Sequence, residues 1–371
     1  MPFGRKPKLT MAIAVDYGYI NARVRGMKSR LFDRQAYHEL VAKADLAALL
    51  ASLAQTPYRE AIEAALVRSQ GLAALIDGLR RDLTACLLKL RRLTGDDPAE
   101  EPAALVRILL ARWDYRSLLT LTRAQARGVA ATIEHEILIG VGDLDTIALA
   151  ELARQPDLPA MIDLLSTWRL PYATPLRRAW RAVVEGGELS ILEEALGQAY
   201  AASIQERLQC LPPSHNRALV QQILSQEIDA QNLLNALRLR QARLRGELFP
   251  EPSTEWYLPG GRLPLAVLAS LLTLAESAQV LVALRSSPAA TPWLPALTAW
   301  AAREDLVALQ RALERRLTEM AQALFVHDPL TIAPLIAYVW AKENEVRNLR
   351  VIGWGIAEGW ERSRILEELC C

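Results

Sequence analysis

Three pairs of polar side chains in this sequence stand at a spacing that could place them side by side. Each is an acid followed three residues later by Asn or Ser and then by Leu: Asp114-x-x-Ser117-Leu118, Asp229-x-x-Asn232-Leu233 and Glu345-x-x-Asn348-Leu349. On a helix the acid and its amide or hydroxyl share one face, beside an apolar stripe carrying the Leu. Such a carboxylate could serve in acid–base catalysis if further titratable groups converged on it. Without them it is suited to bind a neighbouring helix end or loop, and that structural role is the preferred reading.

Converging groups are sparse. His38, His135, His215 and His327 are scattered, and none stands at the i, i+4 spacing of a helical metal pair. Glu134-His135-Glu136 reads as a solvated charge run, since adjacent residues point to different helix faces. Asp143 and Asp145 beside Gly140 and Gly142 lack the remaining ligands of a calcium loop and read as a helix-capping loop. Neither GxxxxGK[ST] nor GxSxG occurs, so direct nucleotide binding and that form of hydrolysis are not expected. No catalytic, metal or cofactor site is assigned. Trp340, Trp354 and Trp360 fit an interface and a core equally well.

Composition narrows the class. Apolar residues make up 51% and charged residues 23%, which excludes disorder. Ala, Leu and Arg dominate while Phe supplies only 4 residues, so propensity favours an all-α chain. The net charge is +1 with acids and bases interleaved, giving no field for nucleic acid. Arg5, Lys6 and Lys8 read as a solvated arm rather than a membrane contact. Cys86, Cys210, Cys370 and Cys371 lack metal or CxxC spacing, consistent with a reducing cytoplasm. No signal-peptide core precedes Asp16, and the longest apolar stretch, Leu263 to Ala275, is too short to span a bilayer. Any membrane role is expected to be peripheral.

The elements that must position the polar pairs are helices. Leu46, Leu49, Leu50 and Leu53 mark one buried face, a further helix is expected from about Ala61 to Leu93, and Thr94 to Pro98 reads as a linker. Pro212-Pro213-Ser214 and His327-Asp328-Pro329 mark later boundaries, and Phe249 to Pro264 is the longest irregular stretch. The Ser or Asn of the polar pair recurs at intervals of 115 and 116 residues. Pro57-Tyr58, Pro171-Tyr172 and Pro292-Trp293 recur at intervals of 114 and 121, so a unit of about a third of the chain repeats. Asn21-x-Arg23-Val24-x-Gly26 is echoed by Asn348-x-Arg350-Val351-x-Gly353. The expected organisation is unit 1 over 1–98, unit 2 over 99–213, unit 3 over 214–330 and a partial repeat over 331–371.

These residues together resemble a known family. Tyr17-Gly18-Tyr19-Ile20-Asn21-Ala22-Arg23-Val24-Arg25-Gly26-Met27-Lys28-Ser29, then Leu31, then Leu53-x-x-Thr56-x-Tyr58, Trp113-Asp114-x-x-Ser117-Leu118 and Glu345-x-x-Asn348-Leu349-Arg350 are similar to the C subunit of the A/V-type rotary ATPases, the d subunit in eukaryotes. Ser117 departs from the usual Asn, and Phe249 to Leu263 looks like an elaboration. The resemblance implies three similar helical domains in a pseudo-threefold funnel. It also implies a non-catalytic rotor adaptor on the cytoplasmic face of the membrane, linking the central-shaft subunits to the proteolipid ring for proton or sodium transport. Under it, Asn21, Arg23, Arg25, Asn348 and Arg350 are expected near a domain junction or partner surface. The competing reading is a helical scaffold unrelated to rotary ATPases.

Overall fold

The computed structural model describes residues 17–128, 138–247 and 256–370. The expected charge runs at Arg5 to Lys8 and Glu134 to Glu136, the thiol of Cys371 and the first part of the Phe249 to Pro264 stretch lie outside them. Among the described residues the chain is all-helical. The one β-type contact is an isolated bridge between Val141 and Asp145.

Helix lengths recur in chain order. After α1 (Tyr17–Lys28) come three short helices, α2 (Arg34–Val41), α3 (Leu46–Leu53) and α4 (Arg59–Leu66), then two long ones, α5 (Gly71–Thr94) and α6 (Glu101–Ala126). The pattern returns as α7 (Thr146–Ala153), α8 (Leu158–Thr167) and α9 (Ala173–Val184), followed by α10 (Ser190–Cys210) and α11 (His215–Leu244). It returns again as α12 (Leu265–Leu271), α13 (Ser277–Arg285) and α14 (Leu294–Ala301), followed by α15 (Leu306–Ala323) and α16 (Ala333–Ala357), with α17 (Arg362–Glu368) closing.

Local chemistry sets these boundaries. Asp33, Asp45, Asp145 and Asp157 cap α2, α3, α7 and α8, each accepting the backbone N–H three residues on at 2.7 to 2.8 Å. Each such cap contributes about 1 kcal/mol. Tyr58, Tyr172 and Trp293 occupy the N-cap positions of α4, α9 and α14, and all three rings are buried. The proline before each aromatic turns the chain, and the ring anchors the third short helix in the core. The helix expected from Ala61 to Leu93 is broken in two, because Gly71 takes φ +59° and starts α5 on a new course.

The long helices form a closed circuit. α5 packs on α6, α6 on α10, α10 on α11, α11 on α15, α15 on α16, and α16 back on α5. Their burial is nearly complete where they meet, as at Leu105, Leu109, Val220, Leu335 and Ile336. The short helices pack outside this circuit, α4 on α5, α9 on α10 and α14 on α15.

Candidate functional site

Asp114, Asp229 and Glu345 lie on α6, α11 and α16, and each is buried to within 2% of full burial. Burying a carboxylate this deeply costs several kcal/mol unless donors surround it. At Asp114 the donors are the backbone N–H groups of Asp143 (2.7 Å) and Leu144 (3.3 Å). At Asp229 they are those of Arg262 (2.8 Å) and Leu263 (2.9 Å). In both places a glycine two residues before the second donor, Gly142 or Gly261, lets the backbone approach. A Cβ there would overlap the carboxylate.

In these two pairs the second member, three residues after the acid, holds the same segment a few residues upstream. Ser117 Oγ accepts from the N–H of Ile139 (3.2 Å) and donates to its carbonyl (3.4 Å). Asn232 accepts from the N–H of Leu258 (2.8 Å) and donates to its carbonyl (2.9 Å). Each long helix therefore grips the loop that leads into the next set of short helices, using an acid for the lower turn and an amide or hydroxyl for the upper. Burial lifts Asp114 to about 7 and Asp229 to about 6, against the pull of the backbone donors.

At α16 the same grip falls on two segments far apart in sequence. Asn348 clasps Cys370, accepting its N–H at 3.0 Å and donating to its carbonyl at 3.1 Å. Glu345 instead receives the N–H of Phe32 at 2.6 Å, just before the Asp33 cap of α2. Arg30 stands where the other loops have glycine, and the longer glutamate spans the distance. Glu345 also accepts from Tyr58 Oη (2.7 Å) and pairs with Lys342 (2.8 Å), which in turn pairs with Asp82 on α5 (2.7 Å). Burial works against the Lys342 ammonium, but the carboxylates of Glu345 and Asp82 outweigh it and raise its pKa. This network closes the circuit between α16, α5 and the start of α4.

The three long helices also meet along an axis. Glu101, Asn216 and Ile332, at the beginnings of α6, α11 and α16, are linked in series: Asn216 donates to Glu101 (3.1 Å) and accepts the N–H of Ile332 (2.9 Å). Three turns further on, Arg112 pairs with Glu227 at 2.8 Å and with Glu343 at 3.1 Å, one residue from each helix. The Arg112 guanidinium lies between the rings of Trp113 and Trp340. Burial alone would raise the Glu343 pKa, but Arg112 and Arg116 hold it down to about 2. Beyond this trio the helices part around two clefts of about 190 and 380 Å³, which share Arg116, Glu314, Glu343 and Arg347.

The residues singled out from sequence thus separate into groups. Asp114, Ser117, Asp229, Asn232, Glu345 and Asn348 sit at the joints between sets of helices. Asn21 is buried on α1 and donates to the carbonyls of Pro329 and Thr331 (2.7 Å to Thr331), so it shares no partner with Asn348. Arg23 and Arg25 are exposed, and Arg350 lines the larger cleft. Trp340 is buried, whereas Trp354 is 46% exposed. Sequence reasoning missed Arg112, Glu227 and Glu343, although they precede the three acids by two residues and share their spacing. No cluster of three metal-ligating side chains occurs among the described residues, and no described helix is long and apolar enough to cross a membrane.

Residues 20–368 match the family described as ATP synthase (C/AC39) subunit. The C subunits of several archaeal A-type ATP synthases are similar to this chain over nearly their whole lengths. That of Haloferax volcanii is 28% identical over 352 residues, 95% of this chain and 96% of its own. That of Haloquadratum walsbyi is 27% identical over 353 residues, 94% and 97% of the two chains. That of Methanosarcina mazei is 26% identical over 360 residues, 95% and 92%.

Proposed function

The chain belongs to the ATP synthase (C/AC39) subunit family, and from that premise we propose that it is the non-catalytic adaptor on the rotor axis of an A-type ATP synthase. In this reading the axial clefts form a socket for the central-shaft subunits, and the outer surface rests on the proteolipid ring at the cytoplasmic face of the membrane. Torque passes through it between ATP chemistry in the head and ion movement in the membrane. The observation that carries the reading is the closed circuit of six long helices around a charged axial opening. A link in a rotating train must resist twisting, and it needs contact area more than reactive groups. Joints that are each gripped at two points supply that resistance.

The division of the chain follows the same logic. The repeating unit runs from the first short helix to the second long one, over 34–126, 146–244 and 265–357. Cut instead at the proline-rich breaks near 98, 213 and 330, the same helix order gives the units expected from the sequence, 1–98, 99–213 and 214–330, with 331–371 as the partial repeat. The three units make a pseudo-threefold funnel, its narrow end at Glu101, Asn216 and Ile332.

Purification of the tagged chain from membranes of its own host, in mild detergent, tests the proposal. Shaft and proteolipid subunits should be recovered with it. Recovery of the chain with neither would contradict the adaptor role.

A further inference from the structure

The three junctions between neighbouring units are related by the repeat but differ in their contents. At one position the related residues are Tyr115, Ala230 and Val346. Tyr115 stacks on Tyr200 of α10 with ring centroids 4.8 Å apart, whereas Ala230 and Val346 line open clefts. Four residues on, the related residues are Leu119, Leu234 and Arg350. Leu234 lines the smaller open cleft and Arg350 the larger.

Charges around Arg350 are already committed. Arg347 pairs with Glu314 at 3.0 Å, and Glu343 is held by Arg112 and Arg116. No carboxylate among the described residues lies within ion-pair distance of Arg350, and its Nε is buried without a hydrogen-bond partner. Burial draws its pKa below the usual guanidinium value, only partly opposed by Glu343. A partly desolvated cation without a counter-ion destabilises the isolated chain. At a position where the repeat otherwise places leucine, it is suited to an anion arriving from outside.

We propose that the cleft between α5, α6, α15 and α16 is an anion-accepting seat in the axial socket, taking a carboxylate side chain of a central-shaft subunit with Arg350 as its counter-ion. Because, among the described residues, Arg350 stands at one of the three related junctions where the others have Leu119 and Leu234, the seat fixes one rotational setting of the shaft. The proposal rests on the adaptor reading above.

The test measures binding of the full chain to purified shaft subunits of the same complex, together with the thermal midpoint of the chain alone. Arg350→Met removes the charge and keeps most of the bulk. It should weaken binding roughly 30-fold or more while raising the midpoint of the isolated chain by about 2 °C. Arg350→Glu should weaken binding further. Wild type that binds while Arg350→Met binds equally well overturns this proposal alone. So does a lowered midpoint for Arg350→Met, which would give Arg350 a counter-ion within its own chain. Wild type that fails to bind the shaft subunits overturns the adaptor reading and the seat with it.

Discussion

The joints at Asp114 and Asp229 and the joint at Glu345 perform the same task with different means. The first two connect segments 29 to 34 residues apart, and there the acid accepts only from backbone N–H groups. The third brings Phe32 to Glu345, 313 residues away. A tenfold greater separation adds at most about 2 kcal/mol to the entropy of closure. It is at this joint that Tyr58, Lys342 and Asp82 are added. Where the chain itself keeps two parts near each other, the acid meets main-chain donors only; where it does not, the acid is built into a buried charge network.

The sharpest way to break this contrast is to remove both acids in turn. Glu345→Ala leaves Lys342 with Asp82 alone and strands the Phe32 N–H. It should destabilise the chain by about 3–5 kcal/mol. Asp229→Ala, which strands two N–H groups and no cation, should cost about 1–3 kcal/mol. Equal losses in denaturant unfolding would remove the distinction.

Approach distance separates the joints next. Gly142→Ala and Gly261→Ala push a Cβ into a carboxylate and should each cost about 1–3 kcal/mol. Arg30→Ala, at the related position of the third joint, should stay within about 0.5 kcal/mol. Gly142→Ala and Gly261→Ala that cost no more than Arg30→Ala would show that the backbone has no need to approach the aspartates so closely.

The pH dependence is smaller. The raised pKa of Asp114 means that its contribution to stability is fully present below about pH 4. It is lost as the pH rises through its native value of about 7. The difference in thermal midpoint between wild type and Asp114→Asn should therefore shift in favour of wild type as pH falls from 7.5 to 5. A constant difference would mean that Asp114 is ionised in the native state throughout this range.

Helical class was readable from Ala, Leu and Arg content, since little else in the sequence opposes it. The interval of 115 to 116 residues was readable because the buried acid and its Asn or Ser keep their chemistry from copy to copy. Their receptors were not, because Asp143-Leu144, Arg262-Leu263 and Phe32 offer only backbone N–H groups, and main-chain donors leave no side-chain signature. Gly142 and Gly261 are the faint trace of that contact. Arg112, Glu227 and Glu343 were hidden for the opposite reason: related positions that touch across an axis need complementary charges, so the repeat breaks in identity where it pairs in space. The split at Gly71 was masked by a leucine pattern that continues on both sides.

A photo-reactive benzoyl-phenylalanine placed at Thr120, on the wall of the larger cleft, tests most directly whether the axis of this ring is a socket for the shaft. In the assembled complex, irradiation should link the chain to a central-shaft subunit. Cross-linking only to a proteolipid or peripheral subunit, with none to the shaft, would contradict it.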